Sequence, residues 1–312
     1  MKERWKNKTG RPYFDNRVWK LYNEELIVRG EFLLDYEWIK KGWFDELKLM
    51  NKEKRGAPFQ FPNSLIKLQA VWHQWIDYRG IEGMTRQIVE MAQLLDFNDY
   101  STINRRVNKL EVGFQLPKQG FVSVSTDGTG IKINNAGEYR QDKYGKKRQK
   151  KYIKVTISAN PLTKDLLDCT VSLEGEGLSE PECAQEHMQQ QINNGISIDK
   201  FWGDGSYDVL KLFNFLQKNN IESAIKIRSN ASDDANGSMR RAREVAEYKF
   251  KGYTDWAREK EYGKRWLGTE VIISAVKRKF GEKIKSTKTE NMLKEAKRKF
   301  WAYETIKKYA KA

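Results

Sequence analysis

The sequence predicts an α/β (α+β) fold in which a helical N-terminal region precedes a mixed sheet covered by helices. Residues 120–133 alternate apolar and polar side chains, which is typical of a half-buried strand. Residues 151–177 contain two further strand-like segments, and Pro161 separates them because proline cannot donate to a β-ladder. From residue 180 onward, helical and strand-like segments alternate.

The order of these elements narrows the fold further. After the three consecutive strands come a helix over 180–194, a strand over 198–202, a helix over 208–220, a strand over 222–230, and a loop that runs into basic helices. Antiparallel strands that lead into alternating helices and strands indicate a mixed sheet with helices on its faces. This is the element order of an RNase H-like fold. We therefore divide the chain into a helical, DNA-binding domain (1–112) and an RNase H-like catalytic domain (113–312).

Three predicted helices close the N-terminal domain. Ser64 caps the first helix, which we expect to end before Gly80 and Gly83. The third, over 101–110, has an apolar stripe and an opposite polar and basic face, which fits the recognition helix of a helix-turn-helix. The residues of this face that could contact DNA are Asn104, Arg105, Asn108 and Lys109. The alternative is a helical bundle with a solvated basic face.

The charge of the chain favours a polyanionic partner. Lysine and arginine outnumber the acids by 58 to 42, which gives a net charge of +16 over 312 residues. A basic surface gains affinity for nucleic acid by releasing counterions from phosphate. The alternative explanation of the positive charge is a generally basic proteome or a gain in solubility. No apolar run approaches the ~18 residues of a membrane span, and the two cysteines lack metal-site spacing. We expect a cytoplasmic, nucleoid-associated protein with no membrane partner.

Three carboxylates lie at positions that an RNase H-like fold would bring together. Asp127 lies on the first strand, Asp204 follows a later strand, and Glu270 lies early on the closing helix. Hard divalent ions prefer oxygen ligands, so we predict that these acids hold Mg²⁺ (or Mn²⁺) for an in-line displacement at phosphate. Each acid also has a plainer interpretation. Asp127 and Asp204 have the glycine neighbours of ordinary turns, and Glu270 fits a solvated helix position.

The segments around these acids resemble the prokaryotic insertion-sequence transposases of the DDE class. The matching pieces are STDGTGIKI, FWGDGSYD and YGKRWLGTEVIISAVKRKFGE. Within this class, the matching branch is the insertion-sequence-five group of the four/five superfamily. The signature of that group is a Tyr, then two residues, an Arg, three residues, a Glu, six residues and a Lys. The residues similar to that signature are Tyr262, Arg265, Glu270 and Lys277. Here four residues separate the arginine from the glutamate, which leaves the orientation of Arg265 open.

The resemblance implies a DNA transposase that cleaves a phosphodiester at the ends of an element and transfers the 3′ hydroxyl into target DNA. Its implied partners are double-stranded DNA, at the terminal inverted repeats and the target, and further copies of the chain in a synaptic dimer or higher assembly. Lys277 and a basic segment would contact the DNA backbone. The residues of that segment are Lys143, Lys146, Lys147 and Arg148. A metal-dependent nuclease on the same fold and a domesticated DNA-binding regulator are the alternatives.

Overall fold

The structure of the protein is a computed structural model that describes residues 3–6, 12–14, 17–34, 37–94, 96–114, 120–133 and 152–311. The chain divides into two compact units, the first made of residues 1–107 with 305–312 and the second of residues 108–304. The assignment of DNA binding to 1–112 and of catalysis to 113–312 stays a prediction. None of the helices in the described ranges has the length and hydropathy to cross a membrane.

The first unit is mainly helical. Its elements are an antiparallel ribbon of β1 (Glu3–Lys6) and β2 (Pro12–Phe14), followed by α1 (Trp19–Glu31), α2 (Glu37–Asn51), α3 (Asn63–Trp72), α4 (Tyr78–Ala92) and most of α5 (Tyr100–Lys109). A buried amide joins three segments of this unit. Gln69 Nε2 donates to Thr85 Oγ1 at 3.0 Å and to Asn98 Oδ1 at 2.7 Å. This network satisfies polar groups that would otherwise destabilise the interior.

The helix boundary expected near Gly80 and Gly83 is wrong. The chain leaves the helical conformation after Trp72, and both glycines lie inside α4. The start of α4 is set by Asp77, whose Oδ1 accepts a hydrogen bond from the Gly80 backbone N–H at 2.7 Å. A strong N-cap here outweighs the low helix propensity of the two glycines.

A six-stranded mixed sheet forms the centre of the second unit. Its strands are β3 (Phe121–Ile133), β4 (Tyr152–Ala159), β5 (Leu166–Leu173), β6 (Ser197–Gly203), β7 (Glu222–Ile225) and β8 (Lys283–Ile284). Neighbouring strands run in the order β5-β4-β3-β6-β7, with β8 also paired to β3. The pairs β5-β4 and β4-β3 are antiparallel, whereas β3-β6 and β6-β7 are parallel. This confirms the predicted mixed sheet, to which β8 is an unpredicted addition.

The helices of the second unit cover both faces of this sheet. They are α6 (Glu180–Asn193), α7 (Leu210–Lys218), α8 (Met239–Glu259), α9 (Lys264–Phe280) and the first part of α10 (Thr289–Tyr309). Val122 and Val124 of β3 enter an apolar core with residues of α6 and α7, such as Met188 and Phe213. Alternate β3 side chains point to the opposite face, where Ser125 lies against α9. The predicted α/β fold with helices on both faces is therefore confirmed.

A buried lysine on α10 makes the stability of the second unit depend on pH. Lys299 is 1% exposed and donates from Nζ to the Phe280 carbonyl at 2.9 Å, at the end of α9. Burial lowers the pKa of Lys299 from its ordinary value of 10.5 to about 8. The unfolded chain therefore binds more protons than the fold between these two pH values. Stability then rises with pH across this window, by up to about 3 kcal/mol.

Urea unfolding between pH 7 and 10.5 tests this prediction. Lys299→Met should remove the rise in unfolding free energy that the wild-type chain shows above pH 8. Lys294→Met is the matched control, because Lys294 lies on the same helix and pairs with Glu290 near the surface. An equal rise in the Lys299→Met and wild-type chains would show that Lys299 titrates normally.

Candidate active site

Asp127 and Asp204 lie side by side because of the register between two parallel strands. Ser125 of β3 pairs with Trp202 of β6, and each acid follows its paired residue by two positions. Asp204 is the first residue after β6, and its Oδ1 accepts from the Ser206 backbone N–H at 2.8 Å and from Ser206 Oγ at 2.6 Å. The two donors hold the Asp204 carboxylate in one orientation at the end of the strand.

Asp127 is a partly buried acid whose pKa is affected by one nearby cation and two other acids. The pKa of Asp127 is raised to about 6, mainly by burial; Arg265 and a hydrogen bond from the Gly128 N–H oppose the shift, and the charges of Asp204 and Glu270 add smaller increases. That hydrogen bond reaches Asp127 Oδ1 at 2.9 Å. The negative charges of Asp204 and Glu270 thus both act on Asp127.

Glu270 reaches this site because α9 lies unusually close to β3. A methyl group at Gly268 would collide with Ser125 Oγ and would lie 3.2 Å from Pro161 Cα. Glycine at this position lets the helix backbone approach the sheet, as glycine does wherever two backbones must come close. Glu270 follows two residues later on the same helix. The approach of Gly268 thus sets how far Glu270 stands from Asp127.

Arg265 links the two carboxylates on this face of the sheet. Its guanidinium lies 3.6 Å from Asp127 Oδ2 and 3.0 Å from Glu270 Oε1, and the residue is 7% exposed. The additional residue between Arg265 and Glu270 therefore does not prevent contact between them. Since α9 begins at Lys264, Arg265 lies in its first turn. From there its long side chain reaches Glu270, five positions later.

The aromatic ring of Tyr262 packs near the Arg265 guanidinium. Its ring packs in a small apolar cluster with Trp202 and Trp256. The Arg265 guanidinium lies 5.7 Å from the centroid of the Tyr262 ring and 5.1 Å from that of Trp266, within the range of a cation–π contact. Burial raises the pKa of Tyr262 to about 12, against the opposing charge of Arg265. Tyr262 is thus a neutral packing residue beside the acids.

A cavity of about 410 Å³ opens beside Asp127 and Glu270. Its remaining lining residues are Gly128, Ile273, Ser274, Lys277, Arg278 and Glu282. Lys277 stands two helical turns after Glu270 and faces the same space, with Nζ 3.9 Å from Glu282 Oε1. Ser274 and Arg278 were not predicted, although their spacing of four and eight residues from Glu270 places both on the same helix face.

The chemistry of these donors fits a divalent metal. Three carboxylates supply the hard oxygen ligands that Mg²⁺ and similar ions prefer. Burial is the main cause of the raised pKa of Asp127, and Arg265 is a cation that both Asp127 and Glu270 contact. Within the described residues, no three acidic, histidine or cysteine side chains stand close enough together to hold one ion as a group.

The predicted DNA-contacting residues are only partly described. On α5, Asn104, Arg105 and Lys109 are exposed, whereas Asn108 is half-buried and its Oδ1 accepts from Arg298 at 3.1 Å. Asn108 is thus engaged with its own chain rather than turned to solvent. The four predicted residues of the basic segment lie outside the described residues: Lys143, Lys146, Lys147 and Arg148.

Two families described as "Transposase DDE domain" match the chain, one over residues 120–303 and the other over residues 27–136. Two similar solved structures are "Mos1 transposase paired-end complex with left transposon end" and "Crystal structure of a pre-cleavage Mos1 transpososome". The first is 10% identical, covers 73% of this chain and 84% of that chain, and has a TM-score of 0.24. The second is 9% identical, covers 96% of this chain and 97% of that chain, and has a TM-score of 0.23.

These two structures are too distant to carry an argument, so the assignment depends on the family matches. The longer match covers more than half of the 312 residues and contains all three predicted acids. It favours a DNA transposase, with polynucleotidyl transferase and endonuclease activity, over the nuclease and regulator alternatives. It also implies a divalent metal cofactor in general. The chain belongs to the family of DDE transposases.

Proposed function

We propose that this transposase holds Mg²⁺, or Mn²⁺ in its place, with Asp127, Asp204 and Glu270. The observation that carries the proposal is that Asp127 is aligned with Asp204 by the strand register and shares Arg265 with Glu270. No local feature of the chain would require this arrangement, and the charges of Asp204 and Glu270 contribute to the raised pKa of Asp127 in the metal-free fold.

The residues around the acids orient them for phosphoryl chemistry. Bound divalent ions would supply activation of an attacking oxygen and stabilisation of a leaving oxygen. Ser206 and the Gly128 N–H hold Asp204 and Asp127 in fixed orientations. Lys277 lines the cavity beside Glu270, where its ammonium would bind a phosphate of the DNA backbone. Tyr262 and Arg265 are supporting residues that position Glu270 and offset the negative charge.

The proposed reaction has two stages at one site. The transposase cleaves a phosphodiester at the end of an element and leaves a 3′ hydroxyl, which then attacks target DNA. The signature residues around Glu270 support the insertion-sequence-five group. Because two element ends must be joined, we propose a synaptic dimer or higher assembly on double-stranded DNA, and hence association with the nucleoid.

We propose that DNA is bound through the helical domain (1–112) and through basic residues near the catalytic site. The candidates are Asn104, Arg105 and Lys109 on α5, Lys277 on α9, and Lys143, Lys146, Lys147 and Arg148 in the basic segment. The net charge of +16 supports strong binding to phosphate. Binding that depends on several phosphate contacts weakens steeply as the salt concentration rises.

A strand-transfer assay tests the proposed function. The purified chain is incubated with Mg²⁺, a labelled duplex that carries the chromosomal ends of its element, and a supercoiled target plasmid. We expect cleavage at the element ends and joined products, both abolished by chelation of the metal. Cleavage without joining would support a nuclease instead, and binding without cleavage would support a DNA-binding regulator.

A further inference from the structure

A fourth acid lies against β3 at Gly128, the residue after Asp127. Glu180 is the first residue of α6 and is half-buried. Its carboxylate occupies the space where a side chain at Gly128 would stand: a methyl group there would lie 2.6 Å from Glu180 Cδ and closer still to Oε1. Gly128 follows Asp127 and donates to it. Only the absence of a side chain at Gly128 admits the Glu180 carboxylate to this position.

The local structure of α6 does not require Glu180 to stand there. The N-terminus of the helix is already closed by a capping box, in which Ser179 and Glu182 satisfy one another's backbone groups. An acid in the first turn gains some stability from the helix dipole in any orientation. The ion pair from Glu180 Oε1 to Lys154 Nζ is long, at 3.9 Å. Its placement against Gly128 therefore calls for a different explanation.

The hydroxyl group of Tyr207 is the second observation at this position. Tyr207 is 1% exposed, and among the described residues its hydroxyl has no hydrogen-bond partner. Burial raises the pKa of Tyr207 well above its ordinary value, and the charges of Glu180, Asp127 and Asp204 raise it further. The Tyr207 side chain packs against Gly203, the residue before Asp204, and Glu180 packs against Gly128, the residue after Asp127. A buried hydroxyl without a partner is unfavourable, and a bound ligand or its water would offset that cost.

We propose that Glu180 is a fourth acidic residue of the divalent-metal site, which it reaches across Gly128 from the α6 side of β3. The Tyr207 hydroxyl then hydrogen-bonds to a water of the ion, since Mg²⁺ retains several waters when protein carboxylates bind it. This inference rests on the proposed function, because it adds a residue to the site of Asp127 and Asp204. Glu180 increases metal affinity through its charge and through an additional oxygen ligand.

Mn²⁺ binding to the full-length chain without DNA, followed by electron paramagnetic resonance, tests the proposal. Glu180→Gln should weaken Mn²⁺ binding by about 10-fold or more, the size of effect typical of residues around a metal site. Glu186→Gln is the matched control, because Glu186 is exposed on the same helix and should bind as the wild type does. Weaker binding in Glu180→Gln alone supports the proposal, and wild-type affinity in that variant overturns it.

Asp127→Asn in the same assay separates this proposal from the proposed function. If Asp127→Asn weakens Mn²⁺ binding and Glu180→Gln does not, the inference about Glu180 fails and the three-acid site stands. If Asp127→Asn binds Mn²⁺ as the wild type does, the proposed metal site itself fails.

Gly128→Ala provides a second route that does not alter any carboxylate. The added methyl group should displace Glu180 and weaken Mn²⁺ binding in the wild-type background. In a Glu180→Ala background the collision is absent, so the same change should cost little more. Such non-additivity is expected of two residues that act on one contact. An equal loss in both backgrounds would mean that Gly128→Ala acts on Asp127 directly and would overturn the role of Glu180.

Discussion

Asp127→Asn, Asp204→Asn and Glu270→Gln should each reduce cleavage and strand transfer by at least about 100-fold. The physical reason is that each amide retains the shape of the side chain but removes a negative oxygen ligand. Even groups that only support metal ligands typically contribute about 10- to 100-fold to affinity or activity. The measurement is the rate of strand transfer at saturating Mg²⁺, with Mn²⁺ affinity measured in parallel.

The control for this series is Asp255→Asn, which makes the same chemical change on α8. Asp255 is exposed and pairs with Arg258 three residues away, so its loss should leave both the rate and the affinity unchanged. Circular dichroism and thermal unfolding check that every variant folds. Wild-type rates in any of the three site variants would remove that residue from the metal site, and wild-type rates in Asp127→Asn would disprove the site as a whole.

Gly268→Val should destabilise the second unit by about 2 to 3 kcal/mol and weaken metal binding at the same time. The new side chain would overlap Ser125 Oγ and press on the backbone at Pro161, and overpacking of this kind costs about 1 to 3 kcal/mol or more. Relief requires α9 to move away from β3. Because Arg265 and Glu270 lie on that helix, both would move with it. Urea unfolding and Mn²⁺ titration measure the two effects.

Gly263→Val is the matched control for this prediction. Gly263 precedes the same helix with helical dihedral angles, and an added methyl group would meet no atom within 4 Å. Its substitution should change stability by no more than about 0.5 kcal/mol. Adding Ser125→Gly to Gly268→Val should recover part of the lost stability, because the two residues share one contact. If Gly268→Val were as stable as Gly263→Val, the close helix–sheet approach would not position Glu270.

The sequence by itself determined the order of most elements of the sheet domain and predicted the three acids. The alternation of residues 120–133 predicts β3 because side chains on a strand point alternately to opposite faces. Pro161 predicts the break between β4 and β5 because it lacks an N–H donor. Both signals are local, so neighbouring residues suffice to produce them. The spacing of Glu270 and Lys277 likewise predicts one helix face, and both residues line the same cavity.

Three features of the structure were not predicted from the sequence. Gly80 and Gly83 were expected to end a helix, but the Asp77 cap carries α4 through both. The short β8 escaped prediction because two residues have no periodicity, and its pairing with β3 depends on the preceding path of the chain. Asn108 was expected to be available to DNA, yet it accepts a hydrogen bond from a residue 190 positions away.

Only the tertiary structure decided how the acids are placed relative to one another. The β3-β6 register aligns Asp127 with Asp204, and such a register is set by side-chain packing over whole strands rather than by residues near either acid. The contact of Arg265 with two carboxylates depends on how closely Gly268 lets α9 approach the sheet. Glu180 had no signal in the sequence, because its position depends on a gap at Gly128, on a strand 52 positions earlier. Residue types and local order are encoded along the chain, whereas distances between charges arise only from packing.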